Sequence, residues 1–233
     1  MKIAILETGA PPEPLAARFG SYPDMFERLL KQTGLKFEAE TFDVRAGRFP
    51  ASPDVFEGCL ITGSSAGVYD PLPWIGPLKD FLRAAKGRTR LVGICFGHQI
   101  MAEAFGGRAE KSDRGWGIGL QTYAVRERRS FIDGPARVSA PASHQDQVTV
   151  VPPGARAVGG DAFCPNGLIA YDDQPAFSVQ LHPEFHPAYA SALIEARLGS
   201  RFDERAGRAA METLKGADDR LAIGAWIRRF LEA

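Results

Sequence analysis

The chain has 233 residues, 45% of them hydrophobic, and its 28 lysines and arginines are balanced by 28 aspartates and glutamates. That length suffices for one large α/β domain over 1–233, and zero formal charge offers no electrostatic surplus for a nucleic acid or an anionic membrane. The amino terminus reaches Glu7 after too few apolar residues for a signal-peptide core, and no later run approaches membrane-spanning length, so a cytoplasmic protein is expected.

Lys2 to Leu6 reads as a first buried strand, followed by an irregular loop from Gly9 to Pro14 with Pro11, Pro12 and Pro14. Met25, Phe26, Leu29 and Leu30 have helical spacing. Lys36 to Phe42 is a second strand, and a loop with Gly47, Pro50 and Pro53 leads to the apolar run Gly58 to Thr62, a third. The small residues Gly63-Ser64-Ser65-Ala66-Gly67 then leave backbone amides accessible, ahead of a helix from Trp74 to Ala85. Arg90 to Ile94 predicts a short strand running into Cys95-Phe96-Gly97-His98-Gln99 and a helix that stops at Gly106-Gly107.

From 108 to 180 the pieces are short and antiparallel in flavour: Leu120 to Val125, Val148 to Val151, Gly167 to Tyr171 and Phe177 to Gln180. Two helices, around 188–198 and 222–231, account for the end, separated by a polar segment rich in Arg, Asp and Gly. Strands alternating with helices in the first half imply an α/β fold. Its open, mostly parallel sheet has helices on both faces and some antiparallel strands in the second half, and ligands bind beyond the carboxyl ends of the strands.

Gly93-Ile94-Cys95-Phe96-Gly97 has the form G-x-nucleophile-x-G between a strand and a helix, where a sharp turn pushes one side chain out of the sheet. Glycines are needed because that turn approaches neighbouring backbone, and the helix start after Cys95 favours a thiolate. By itself the pentapeptide is equally compatible with a buried structural cysteine. A thiol nucleophile also needs a base, and the chain has only His98, His144, His182 and His186.

His182 follows a strand-like run and would sit on the same sheet edge as Cys95. Pro183 fixes the turn, and Glu184 can reach the imidazole and select its tautomer. His98, on the helix after the cysteine, points away from the thiol and reads as structural; His186 reads as a surface residue; His144 is left without a role. Two backbone amides can serve an oxyanion, that of Phe96 and one from the Gly63-Ser64 loop. Cys59, Cys95 and Cys164 are too few and too widely spaced for a disulfide framework or a zinc site, and no metal or cofactor is expected. Trp74, Phe81, Phe105 and Trp226 read as core, whereas Trp116, between two glycines, is a candidate for lining the site.

These segments resemble class I, triad-type glutamine amidotransferases. Gly93 to Gln99 is similar to that family's G-x-C-x-G-x-Q nucleophile segment and His182-Pro183-Glu184 to its H-P-E segment, and the likeness spans roughly residues 2 to 195. The resemblance implies the flavodoxin-like fold of that family, with Cys95 as nucleophile, His182 as base and Glu184 as its orienting partner. It further implies oxyanion amides from Gly63 and Phe96, and substrate contacts from Gln99, Ser143 and Asp146, the last two within an S-H-x-D-like segment.

The loop Thr62 to Asp70 departs from the S-G-G-P form of nucleotide-synthesis members and is closer to free-standing members that cleave γ-glutamyl peptides and conjugates. The chain has no Walker-type phosphate loop and leaves no room for an ATP-using synthetase domain. The expectation is therefore a cysteine amidohydrolase that cleaves glutamine or a γ-glutamyl conjugate through a γ-glutamyl thioester on Cys95. The first alternative is a glutaminase subunit delivering ammonia to a separate synthetase chain; the second is a non-catalytic binding module on the same fold.

Overall fold

In the computed structural model, which describes residues 1–233, the apolar runs become the centre of a nine-stranded sheet. Its strands are β1 (Lys2–Glu7), β2 (Glu38–Asp43), β3 (Gly58–Ile61), β4 (Arg90–Ile94), β6 (Gly117–Val125), β7 (Arg137–His144), β9 (Ala155–Gly160), β10 (Leu168–Tyr171) and β11 (Ala176–Val179). Two further strands, β5 (Arg108–Lys111) and β8 (Asp146–Val150), pair as a separate antiparallel ribbon. The sheet order is β2-β1-β3-β4-β11-β10-β9-β6-β7, parallel from β2 to β11 and antiparallel beyond.

Helices α1 (Glu13–Phe19), α2 (Tyr22–Gln32), α3 (Ile75–Ala85), α4 (Phe96–Ala104), α5 (Pro187–Glu195), α6 (Glu204–Thr213) and α7 (Arg220–Glu232) complete the fold. The central parallel strands are apolar on both sides because both sides are covered. Along β1, Ile3 and Ile5 face one core with Phe26 and Leu30 of α2 and Ile223, Trp226 and Ile227 of α7. Ala4 and Leu6 face the opposite core, with Leu78 and Leu82 of α3 and Ile100 and Met101 of α4. A third cluster joins Leu15 of α1, Tyr22 and Met25 of α2, Tyr189 and Leu193 of α5 and Ala210 of α6. No helix is long and apolar enough to cross a membrane.

Two sequence-based expectations need correction. The Gly9–Pro14 stretch is not wholly irregular, because α1 starts at Glu13, with Pro14 in its first turn, where the missing N–H costs no helical bond. The polar segment after α5 contains α6, capped by Asp203, whose carboxylate accepts from the Ala206 N–H at 3.0 Å. Its buried face is made of small residues, Gly207 and Ala210, so no set of large apolar side chains marks it in the sequence. Three strands, β5, β7 and β9, also lack the continuous apolar run of the central strands. Pro141 interrupts β7, and Gly159 and Gly160 end β9.

Candidate active site

Four strand ends in the parallel half define the site. Cys95 follows β4 and is the only non-glycine residue with positive φ (φ 53°, ψ −101°), a backbone conformation that costs on the order of 1–3 kcal/mol and persists only when its surroundings impose it. Its N–H donates to the Val179 carbonyl of β11 at 2.9 Å, and Phe96 begins α4 at once. The turn is tight enough that a Cβ at Gly97 would overlap the Ile61 carbonyl of β3, and one at Gly93 would lie 2.5 Å from the Gly97 oxygen. Those contacts are with backbone and cannot yield, so both flanking positions require glycine. As the first residue of α4, Phe96 leaves its N–H without an acceptor inside the helix.

Because Val179 pairs with Ile94 in parallel register, the chain leaving β11 carries Gln180, Leu181 and His182 past the cysteine. The His182 N–H donates to the Pro141 carbonyl at 2.8 Å, which anchors this segment to β7. His182 Nδ1 bonds Glu184 Oε1 at 2.7 Å, and both side chains are almost fully buried. The imidazole stacks on Phe185 at 3.9 Å with an interplanar angle of 3°. With Nδ1 committed to the carboxylate, Nε2 is the nitrogen left to exchange a proton with a thiol. Burial by itself would keep the ring neutral, but the Glu184 carboxylate and the Cys95 sulfur outweigh it and raise the imidazolium pKa to about 10.

The loop after β3 closes the site from the opposite side. Gly63 packs so closely on Cys95 and His182 that a Cβ there would lie 2.9 Å from His182 Cε1 and 3.7 Å from the Cys95 Cβ. Buried Thr8, just beyond β1, holds this loop. Its hydroxyl donates to the Thr62 carbonyl at 2.9 Å and reaches the Gly63 carbonyl at 3.1 Å, while its N–H donates to Thr62 Oγ1 at 3.0 Å. In a trans peptide the carbonyl and the following N–H point in opposite directions, so fixing the Thr62 carbonyl also fixes the Gly63 N–H. Neither Thr8 nor Thr62 stands out in the sequence, because a threonine at a strand end has many ordinary roles.

A cavity of about 210 Å³ opens onto Cys95 and His182, and the residues expected at the substrate all border it. Gln99 is buried, and its amide donates to the Asp146 carbonyl at 2.8 Å and to Gln180 Oε1 at 3.1 Å, so its side chain also braces the wall. Ser143 Oγ accepts from Arg197 Nη1 at 3.2 Å. The half-buried Asp146 carboxyl is raised above its usual range by burial, against the opposing effects of the Tyr69 hydroxyl and Lys111.

His144, whose Nδ1 contacts the Asp146 carbonyl at 3.0 Å, borders the cavity but is held neutral by burial, which lowers its pKa to about 4. His98 is fully buried against Ser178 Oγ at 2.8 Å, and burial lowers its pKa to about 3. His186 is exposed and caps α5 by accepting from the Ala188 N–H. Trp116 does border the cavity, packed edge-on against Phe202. Tyr22, Phe185, Arg197 and Arg201 also line it and carry no motif; only the adjacency of Phe185 to Glu184 offered a hint.

The glutamine amidotransferase class-I family model matches residues 19–197. The chain belongs to that family. A glutamine amidotransferase-like protein of Schizosaccharomyces pombe is 27% identical across 98% of both chains. Gamma-glutamyl peptidase 4 of Arabidopsis thaliana is 29% identical over 72% of this chain and 69% of its own. A glutamine-hydrolyzing GMP synthase subunit of Methanothrix thermoacetophila is 35% identical over 63% of this chain and 77% of its own. Among solved structures, a glutamine amidotransferase from Thermotoga maritima superposes with a TM-score of 0.77 over 100% of this chain and 99% of its own, at 18% identity. That likeness establishes the α/β fold of class I glutamine amidotransferases, which the sequence predicts.

Proposed function

We propose that the chain is a cysteine-nucleophile hydrolase of γ-glutamyl amides, with Cys95, His182 and Glu184 as its triad. The observation that carries this reading is a strained cysteine at a strand-to-helix elbow beside a buried, hydrogen-bonded His–Glu pair. The proton shared by Cys95 and His182 rests on the imidazole, Sγ attacks the γ-carbonyl carbon, and the oxyanion accepts hydrogen bonds from the Gly63 and Phe96 amides. His182 then protonates the leaving nitrogen, the C–N bond breaks and a γ-glutamyl thioester remains. Water adds to the thioester carbonyl, giving a proton to His182; the C–S bond breaks, and Sγ departs beside the imidazolium, which keeps that proton, as glutamate leaves. Gln99 and Asp146 would hold the glutamyl end, and Ser143 would contact the substrate beside Arg197, whose guanidinium it accepts from. Such an enzyme suits a reducing, cytoplasmic setting, since its nucleophile is an unpaired thiol.

Purified protein is expected to release glutamate from glutamine or from γ-glutamyl peptides, and Cys95→Ala to lower that rate by about a thousandfold or more. Equal rates in the two proteins, or no release from any of these substrates, would overturn the reading. The similarity to a GMP synthase subunit favours a second reading, a glutaminase chain that passes ammonia to a separate synthetase. It predicts negligible activity alone and a rise when a synthetase partner is added; robust activity in isolation argues for the first.

A further inference from the structure

The cavity beside Cys95 carries two separate sets of charges, and only one has an evident use for free glutamine. On one side Asp146 lies within the influence of Tyr69, Lys111 and Asp70, so groups of both signs converge there. A zwitterionic α-amino acid end needs that mixture, a carboxylate for its ammonium and an ammonium for its carboxylate.

Arg197, just beyond α5, lies apart from this cluster. The charged and polar groups that bear on its guanidinium are Tyr22, Arg201, Tyr189 and Cys95, and no carboxylate is among them. Its hydrogen-bond partner in the protein is Ser143 Oγ. Burial lowers its pKa from the usual arginine range, and its one side-chain hydrogen bond goes to a neutral hydroxyl rather than to a carboxylate. Exposed Arg201 lines the same wall and adds a second positive charge. When glutamine is cleaved the leaving group is ammonia, which gives these arginines nothing to bind.

We infer that Arg197, supported by Arg201, binds a carboxylate on the leaving-group side of the scissile bond, so that the preferred substrates are γ-glutamyl amino acids or peptides rather than glutamine. This rests on the hydrolase reading above and narrows it: the glutamyl end sits at Asp146, the γ-carbonyl at Cys95, and the carboxylate of the departing amino acid at Arg197. A planar guanidinium presents paired N–H donors that match a carboxylate, which a lysine would not do as well.

The test compares two substrates that differ only in that charge, γ-glutamyl-alanine and its C-terminal carboxamide, in the wild type, Arg197→Met and Arg197→Lys. Wild-type kcat/KM is expected to favour the free carboxylate by about 10-fold or more, mainly through KM. In Arg197→Met the ratio falls towards one, and Arg197→Lys keeps part of it. Equal wild-type rates on the two compounds would overturn the inference while leaving the hydrolase reading intact, and this comparison needs no variant. Equal losses on both substrates in Arg197→Met would place the arginine at the glutamyl end instead, which also overturns it. Glutamate release from neither compound nor from glutamine would sink the hydrolase reading and this inference with it.

Discussion

His182 shows how a residue's surroundings decide its chemistry. All four histidines have the same side chain, yet burial, helped by a neighbouring histidine, holds His98 and His144 neutral, whereas at His182 the adjacent Glu184 and Cys95 reverse the effect of burial. The raised value has a consequence for stability. Because its folded-state pKa of about 10 exceeds the ordinary 6.5, the folded chain holds this proton more tightly than the unfolded chain. The resulting stabilisation is complete below about pH 6.5 and is lost as pH rises towards 10. Glu184→Gln removes the strongest of the attractions, so the fall in Tm between about pH 6.5 and 10 is expected to be shallower in that variant. Parallel thermal melts across this range check it, and identical slopes would disprove the coupling.

At the scale of elements, the site is an alignment of strand ends. β4 delivers the cysteine, β11 the histidine and its carboxylate partner, and β3 the loop that faces both, while Thr8 at the end of β1 fastens that loop through the Thr62 and Gly63 carbonyls. Replacing Thr8 by Val removes the hydroxyl and takes the donor from the buried Thr62 carbonyl, while the Gly63 carbonyl keeps only the longer bond from the Thr62 hydroxyl at 3.3 Å. Stability is expected to fall by about 1–3 kcal/mol, and kcat by about tenfold as the Gly63 amide loses its fixed direction. Thr8→Ser keeps the hydroxyl and is expected to restore most of both. Urea denaturation and kcat measured on the two variants separate the effects; a Thr8→Val protein with wild-type kcat would show that the tie does not position the amide.

For the molecule as a whole, we read residues 1–233 as one cooperative domain. The two main cores share strands β1, β3, β4, β10 and β11, and the third cluster joins the amino-terminal helices to the carboxyl-terminal ones, so no single core can be lost without exposing another. Trp226, Trp74 and Trp116 lie in or against the three clusters in turn. Tryptophan fluorescence, far-UV circular dichroism and loss of activity are therefore expected to report one coincident urea transition. Two resolved transitions would divide the chain into separate units.

Much of this architecture was legible in the sequence because its causes are local. Strands buried on both faces must be continuous apolar runs, as in Lys2 to Leu6 and Gly58 to Thr62. An elbow at which backbones almost touch must have glycines, and Gly93 and Gly97 stand on either side of Cys95 for that reason. His182 and Glu184 could be paired on paper because only Pro183 stands between them, a separation that a side chain spans. By contrast, α6 buries only small residues and β7 contains a proline, so both depend on what packs against them. Thr8, Tyr22 and Arg197 are far apart in the chain, and their relation to the cysteine comes from contacts between distant elements. The amino-acid sequence thus determined the reactive segments and the strands that present them. Only the tertiary structure decided which amides, hydroxyls and guanidinium groups surround the thiol, because burial and Coulomb interactions act through space and not along the chain.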